Sequence, residues 1–329
     1  MTAAAGRLRA QQSAGERFRH LVASGHATWP APGGGRTRER FEGLAEIAAQ
    51  DLSLARLVEG HADAAAICAE AGRMDAAVGT MAVWASDGPG MRLEAHEVTG
   101  GWRLRGLKRF CSGSGLVDRA LVTAHAADGL RLFCVSRHGG GLRSERGEWA
   151  TAALADTDTG TVRIESVVPE EAAIGAPGFY LSRPGFWHGA VGVAACWAGG
   201  AQGLTERYLS RHRRDDCHAL AHLGAVHAEC WAMAAVLRQA ADEIDGDSSR
   251  RAGDRAGEAM RRALSVRHVV ERACLDVMAR LDRVGGPRAS ALDGAIAQHR
   301  ADLALYLQQC HGERDLEAVG RALPPEAYS

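Results

Sequence analysis

Residues 101–115 read GWRLRGLKRFCSGSG and carry the only lysine of the chain, Lys108, two positions before an aromatic, Phe110, and four before a hydroxyl, Ser112. Every other cationic side chain among the 39 is arginine. A lysine there also reads simply as a polar residue closing a strand. Near the other end, residues 310–313 read CHGE, so Cys310, His311 and Glu313 bring a thiol, an imidazole and a carboxylate within four positions. Imidazole and carboxylate are the ordinary general bases. The same stretch also reads as a loop before an exposed terminal helix. His188 stands in PGFWHGA, where it reads as a helix-entry residue packing near Trp187. The eight cysteines are scattered singly, with no CxxC, and Cys217 and His218 are adjacent and cannot easily share one metal. No metal site is expected. Residues 156–160 (DTDTG) lack the later ligands of a calcium loop and read as a hairpin turn.

These groups need elements to hold them, and the periodicity supplies three regions. In the first, Phe41, Leu44, Ala45 and Ala48 share a helical face, and Leu52, Ala55 and Val58 continue the period past Asp51. From about residue 83 to 168 the period becomes two, with turns at 100–101, 128–129, 139–141 and 158–160. Within it, Trp102 and Leu104 alternate with Arg103 and Arg105, and Gly106 breaks the run. That predicts a strand pair inside 101–115. After Pro184 the helical period returns in two long stripes, one through Val226, Met233 and Ile244, the other through Val270, Val277 and Val284. Four long helices with short joints predict an antiparallel bundle. The expected fold class is α+β, mostly α, with a helical domain over 1–82, an antiparallel β domain over 83–183 and a helical bundle over 184–329.

Composition narrows the function. A net charge of −1 and 5% aromatics give neither the field nor the stacking platforms that nucleic acid requires. No uninterrupted apolar run approaches the roughly 20 residues of a membrane span. Residues 7–9 carry arginines without an apolar segment after them. The expectation is a cytoplasmic protein that binds neither membrane nor nucleic acid. Strands and helices do not alternate, and neither GxGxxG after a strand nor GxxxxGK[ST] occurs, so a dinucleotide sheet and a P-loop are excluded.

The order of these regions, with three motifs, resembles the acyl-CoA dehydrogenase family over about residues 40–321. GLKRFCS is similar to the family's Gly-x-Lys-x-aromatic-x-Ser/Thr signature. AGGAQGL at 198–204 is similar to the Gly-Ala-rich start of its C-terminal bundle. The Gly285–Gly286 pair stands where that family turns between the third and fourth bundle helices. The resemblance implies FAD, α,β-dehydrogenation of an acyl thioester such as acyl-CoA, a homodimer or homotetramer, and an electron-transfer flavoprotein as partner. It places Phe110 beside the isoalloxazine ring and Ser112 near flavin N5, where a hydroxyl stabilises the charge of reduction. Trp84 and Ser86, in VWASDG, fall at a further cofactor segment, where they also read as a strand end closed by a turn.

The departures carry equal weight. The family's base position holds Cys310, so the base is left between His311, Glu313 and none. A histidine there is similar to the family's monooxygenase relatives, which implies the alternative of a flavin-dependent oxygenase or oxidase. A third possibility is a non-catalytic partner protein. The first bundle helix is short for the family's cofactor-gripping arginine; Arg211, Arg213 and Arg214 are candidate substitutes, and RHRR also reads as a solvated basic helix end. Asp282 stands where a neutral amide is expected and would repel a pyrophosphate. Arg300 and Asp302 read as a structural pair aligning the last helix.

Overall fold

The Ser13 hydroxyl accepts the Glu16 amide while the Glu16 carboxylate accepts the Ser13 amide (3.2 and 2.8 Å), a reciprocal cap that starts α1 (Ala14–Ala23). The structure, a computed structural model, describes residues 12–88, 90–145, 149–211, 215–247 and 255–323. The helical period running through Asp51 divides into α2 (Thr37–Gln50) and α3 (Leu52–Glu70). Asp51 is extended (φ −158°, ψ 115°), and its carboxylate accepts the Leu54 amide at 2.8 Å, so one residue ends a helix and caps the next.

Two compact units organise the chain. The first comprises Met1–Ala31, Arg56–Thr151 and Ala155–Phe186. Among the described residues it contains α1, most of α3, the short α4 (Phe179–Ser182) and eight strands: β1 (Met81–Trp84), β2 (Leu93–Val98), β3 (Gly101–Cys111), β4 (Arg119–Ala126), β5 (Gly129–Ser136), β6 (Leu142–Glu145), β7 (Gly160–Pro169) and β8 (Ala173–Ile174). Their order is β6-β7-β3-β2-β4-β5-β8, with β1 beside β4. The pairing is antiparallel except where β4 meets β1 and, at one position, β2. Ile67 and Cys68 of α3 pack on Met81, Leu121, Leu132 and Ile174 to form this unit's core.

The strand pair expected inside 101–115 is a single strand. β3 runs its eleven residues straight through Gly106, whose φ is 144°, and the hairpin lies one element earlier, between β2 and β3. A Cβ at residue 106 would sit 2.0 Å from the Arg92 carbonyl oxygen. The glycine marks a close backbone approach, not a turn.

The second unit comprises Pro32–Ala55, Ala152–Leu154 and Trp187–Ser329. It holds α2, most of α5 (Gly185–Arg211), then α6 (Cys217–Asp247), α7 (Arg255–Leu292), α8 (Gly294–Leu307) and α9 (Glu313–Arg321). The predicted stripes are its core: Val226, Met233 and Ile244 on α6 and Val270, Val277 and Val284 on α7 are buried. The α7 span is two helices that meet at a kink at Gly286 (φ 61°, ψ −171°) just before Pro287, which is where the sequence placed a Gly-Gly turn between helices. By length and apolar composition, residues Cys217–Gly246 of α6 could cross a membrane, although His222, His227, Glu229 and Arg238 break the segment into shorter apolar runs. α6 packs on α7 and α2.

Candidate functional site

The end of β3 departs from strand geometry where the sequence placed its chemistry. The register with β7 shifts between Lys108 and Cys111, and Phe110 takes a left-handed conformation (φ 54°) with 62% of its surface exposed. A bulky residue held at positive φ is strained, and an aromatic left in water gains nothing by burial. Cys111, by contrast, is fully buried, and burial pushes its thiol up to about 12, which makes it inert.

Ser112 is fixed from two sides. Its carbonyl accepts the Trp84 indole N–H at 3.0 Å, and its hydroxyl oxygen accepts a hydrogen bond from the Thr159 hydroxyl at 3.0 Å. Trp84 is buried, so it supports the loop from below; Ser86, two residues on, is exposed. The turn at 155–160 clamps the loop further. The Thr157 carbonyl accepts the Gly113 amide (2.8 Å), the Asp158 carbonyl accepts the Ser114 amide (3.1 Å), and the Asp158 carboxylate accepts the Gly115 amide (2.6 Å).

Lys108 ties the two candidate cofactor segments together without touching solvent. Its wholly buried ammonium donates to Asp87 Oδ1 (2.6 Å) and Thr123 Oγ1 (2.8 Å). Burial lowers the lysine's pKa, and the Asp87 carboxylate opposes that shift. Burial also works against ionised Asp87, yet hydrogen bonds from Lys108 and His125 hold its carboxyl below the ordinary value. Arg92 Nη2 lies 2.7 Å from His125 Nδ1 and donates to it, which leaves Nε2–H for Asp87 at 2.9 Å. The segment carrying Ser86 is thereby pinned to β3.

His311 and Glu313 belong to the second unit. Both are exposed at the start of α9. The His311 amide donates to Asp315 Oδ2 at 3.2 Å, and its Nδ1 lies 3.5 Å from Asp315 Oδ1. Arg267 stacks over Trp197 (4.6 Å) and donates to the Gln309 carbonyl at 2.6 Å, fastening the loop that bears Cys310 and His311. Burial raises the Cys310 thiol. His188 is buried in the first turn of α5.

Several sequence assignments change partners. Asp282 is met by the Arg300 guanidinium through three contacts of 2.7–3.2 Å, so its charge is neutralised. Arg300 and Asp302 therefore do not pair: Asp302 accepts the Leu154 amide (2.6 Å) and the Gln298 amide group (2.8 Å). Arg211 pairs with Asp293 at 2.8 Å. Arg213 and Arg214 lie outside the described residues. Sequence reasoning missed Asp87, Thr157, Asp158, Thr159 and Asp315. The DTDTG run was visible but its hydroxyls carried no periodic signal, and Asp315 was detectable only as a carboxylate at i+4 from His311. Among the described residues no group of three or more metal-binding side chains occurs.

No family model and no curated protein matches the chain. Solved structures do. The dibenzothiophene monooxygenase TdsC from Paenibacillus sp. A11-2, in complex with FMN and indole, shares 21% identity over 87% of this chain and 82% of its own, with a TM-score of 0.78. The methanesulfinate monooxygenase MsuC from Pseudomonas fluorescens matches at 19% identity, 89% and 86% coverage and TM-score 0.76. A nitrososynthase from Micromonospora carbonacea var. africana matches at 18%, 95% and 97%, and 0.76. The chain has the acyl-CoA dehydrogenase-like α+β fold that its sequence led us to expect.

Proposed function

We propose that this chain is a flavin-dependent oxidoreductase of the monooxygenase type, using FMN and dioxygen on a small organic substrate. The observation that carries the flavin part of this reading is the strained loop 110–115, which offers an exposed aromatic face and a serine hydroxyl already loaded with a donor from behind; the choice of monooxygenase chemistry is supported by the similar fold of the monooxygenases TdsC and MsuC. That donor set fits a flavin ring. A bound flavin in its reduced form would supply two electrons to an acceptor. Ser112 would donate a hydrogen bond where negative charge grows on the ring, and Phe110 would cover a face and exclude water. His311, with Asp315 beside it, would hold or move a proton.

FMN is preferred to FAD because the TdsC structure, similar in fold, contains FMN.

The second reading is α,β-dehydrogenation of an acyl thioester with FAD and an electron-transfer flavoprotein. The Phe110–Ser112 loop supports it equally. It needs a carboxylate base, for which Glu313, exposed on the first turn of α9, is the nearest in sequence. Cys310 at the expected base position, with its thiol raised by burial, supports the oxygenase reading instead.

Titrating the purified protein with FMN and with FAD, and following ring fluorescence, tests both readings. Saturable FMN binding is expected, together with oxygen-dependent product formation from a chemically reduced flavin. Anaerobic bleaching of bound FAD by an acyl-CoA would reverse the order of the two readings. Failure to bind either flavin would remove both. The same proposal includes assembly into a homodimer or homotetramer through α6, which leaves the large indole of Trp231 65% exposed, with Leu220 exposed about three turns away on the same helix.

A further inference from the structure

The turn 155–160 does more than close a hairpin. Thr157 Oγ1 and Thr159 Oγ1 are 2.7 Å apart, and Thr159 Oγ1 donates to Ser112 Oγ at 3.0 Å. A hydroxyl has one proton to give. Because the proton of Thr159 goes to Ser112, Thr157 must be the donor in the first contact. The chain therefore has one direction, Thr157 to Thr159 to Ser112, and leaves Ser112 with its own proton free to point onward. Hydrogen bonds in such a chain polarise one another, which strengthens the terminal donor. The backbone holds the spacing: amides of Gly113, Ser114 and Gly115 all bond to residues 157 and 158. Positive φ at both Phe110 (54°) and Asp158 (47°) shows that strain is tolerated on each side of this junction.

We propose that Thr159 is a positioning residue that fixes the Ser112 hydroxyl as an outward hydrogen-bond donor to the reduced flavin ring; the inference rests on the flavin reading above. Its signature is the preference of the protein for reduced over oxidised FMN, because a donor aimed at the ring edge stabilises the charge gained on reduction. One hydrogen bond to a charged group corresponds to about a tenfold change in that preference, about 30 mV for a two-electron couple.

The test measures dissociation constants for oxidised FMN and, anaerobically, for dithionite-reduced FMN in the wild type, T159V, T159S and S112A, with circular dichroism melts for each. T159V should lose about tenfold of the preference, T159S should keep it, and S112A should lose as much as T159V, with no further loss in the double variant. If T159V does not fold, T159A supplies the same comparison. A preference unchanged in T159V or T159A while S112A loses it overturns the role of Thr159 and leaves the flavin reading intact. Loss of the preference in T159S also overturns it, since the hydroxyl is then not the determinant. Failure of the wild type to bind either form removes the flavin reading, and this inference with it.

Discussion

At residue scale, the lone lysine shows how a chemically conspicuous side chain becomes structural. The Lys108 ammonium is wholly buried and depends on Asp87 for its charge balance. Removing one partner of such a pair leaves an uncompensated buried charge. Asp87→Asn should therefore destabilise the protein by about 2–3 kcal/mol in urea unfolding, discounted because Asp87 is itself part-exposed. Adding Lys108→Met should recover much of that loss; a double variant as unstable as Asp87→Asn alone would disprove the pairing argument. Phe110 is the opposite case, a residue whose backbone costs stability where it stands. Glycine adopts φ 54° freely, so Phe110→Gly should be more stable than Phe110→Ala by about 1 kcal/mol, although glycine is ordinarily the worse choice. Both variants should bind FMN more weakly than the wild type. Equal or reversed melting temperatures for the two variants would show that the strain is not real.

At element scale, the glycines of AGGAQGL are explained by a helix crossing. A Cβ at Gly199 would lie 2.1 Å from the Ala45 carbonyl oxygen, and one at Gly203 would lie 2.0 Å from that of Ala49. The i, i+4 spacing lays α5 directly on α2, and Arg207, the next position on the stripe, donates to the Ala49 and Gln50 carbonyls at 2.8 and 2.7 Å, capping α2. Gly224 on α6 is an ordinary helical glycine, since a Cβ there would meet nothing within 4 Å. Gly203→Ala should lower stability by about 2 kcal/mol or more, because backbone cannot give way as a side-chain tip can. Gly224→Ala should raise it by about 1 kcal/mol. Denaturant midpoints for the pair decide the matter, and a harmless Gly203→Ala would mean that the two helices cross less tightly than these distances require. The β3 strand teaches the same lesson about Gly106: glycine in a pattern can mean proximity as readily as a turn.

At the scale of the whole molecule, pH and assembly are the accessible variables. His299 in α8 is buried, and its Nε2 donates to the Gly200 carbonyl at 2.8 Å. Burial lowers its pKa from 6.5 to about 4, with the nearby Arg207 acting in the same direction. A histidine depressed in this way binds fewer protons folded than unfolded between those values, so stability falls as pH drops from about 6.5 to about 4 and is level below. The loss from this group is on the order of 3 kcal/mol. Unfolding measured across that range should show the acid limb, and His299→Gln should flatten it; an unchanged limb would assign it to other groups. For assembly, Trp231→Glu should reduce the mass seen by light scattering to that of one chain, and a wild type already monomeric would end the oligomer proposal.

Although the single strand β3 was expected as a pair, the order of helices, strands and helices and the buried stripes of α6 and α7 were legible in the sequence. Each depends on local periodicity or on one or two adjacent residues, and local rules survive in any tertiary context. The tertiary structure decided the partners: Asp87 for Lys108, Arg300 for Asp282, Asp315 for His311, and Thr159 for Ser112. Most of these contacts join residues far apart in the chain, and a hydrogen bond between distant segments leaves no period to read. Sequence alone therefore offered candidate residues, and only the packing of one turn against another brought Thr159 to Ser112.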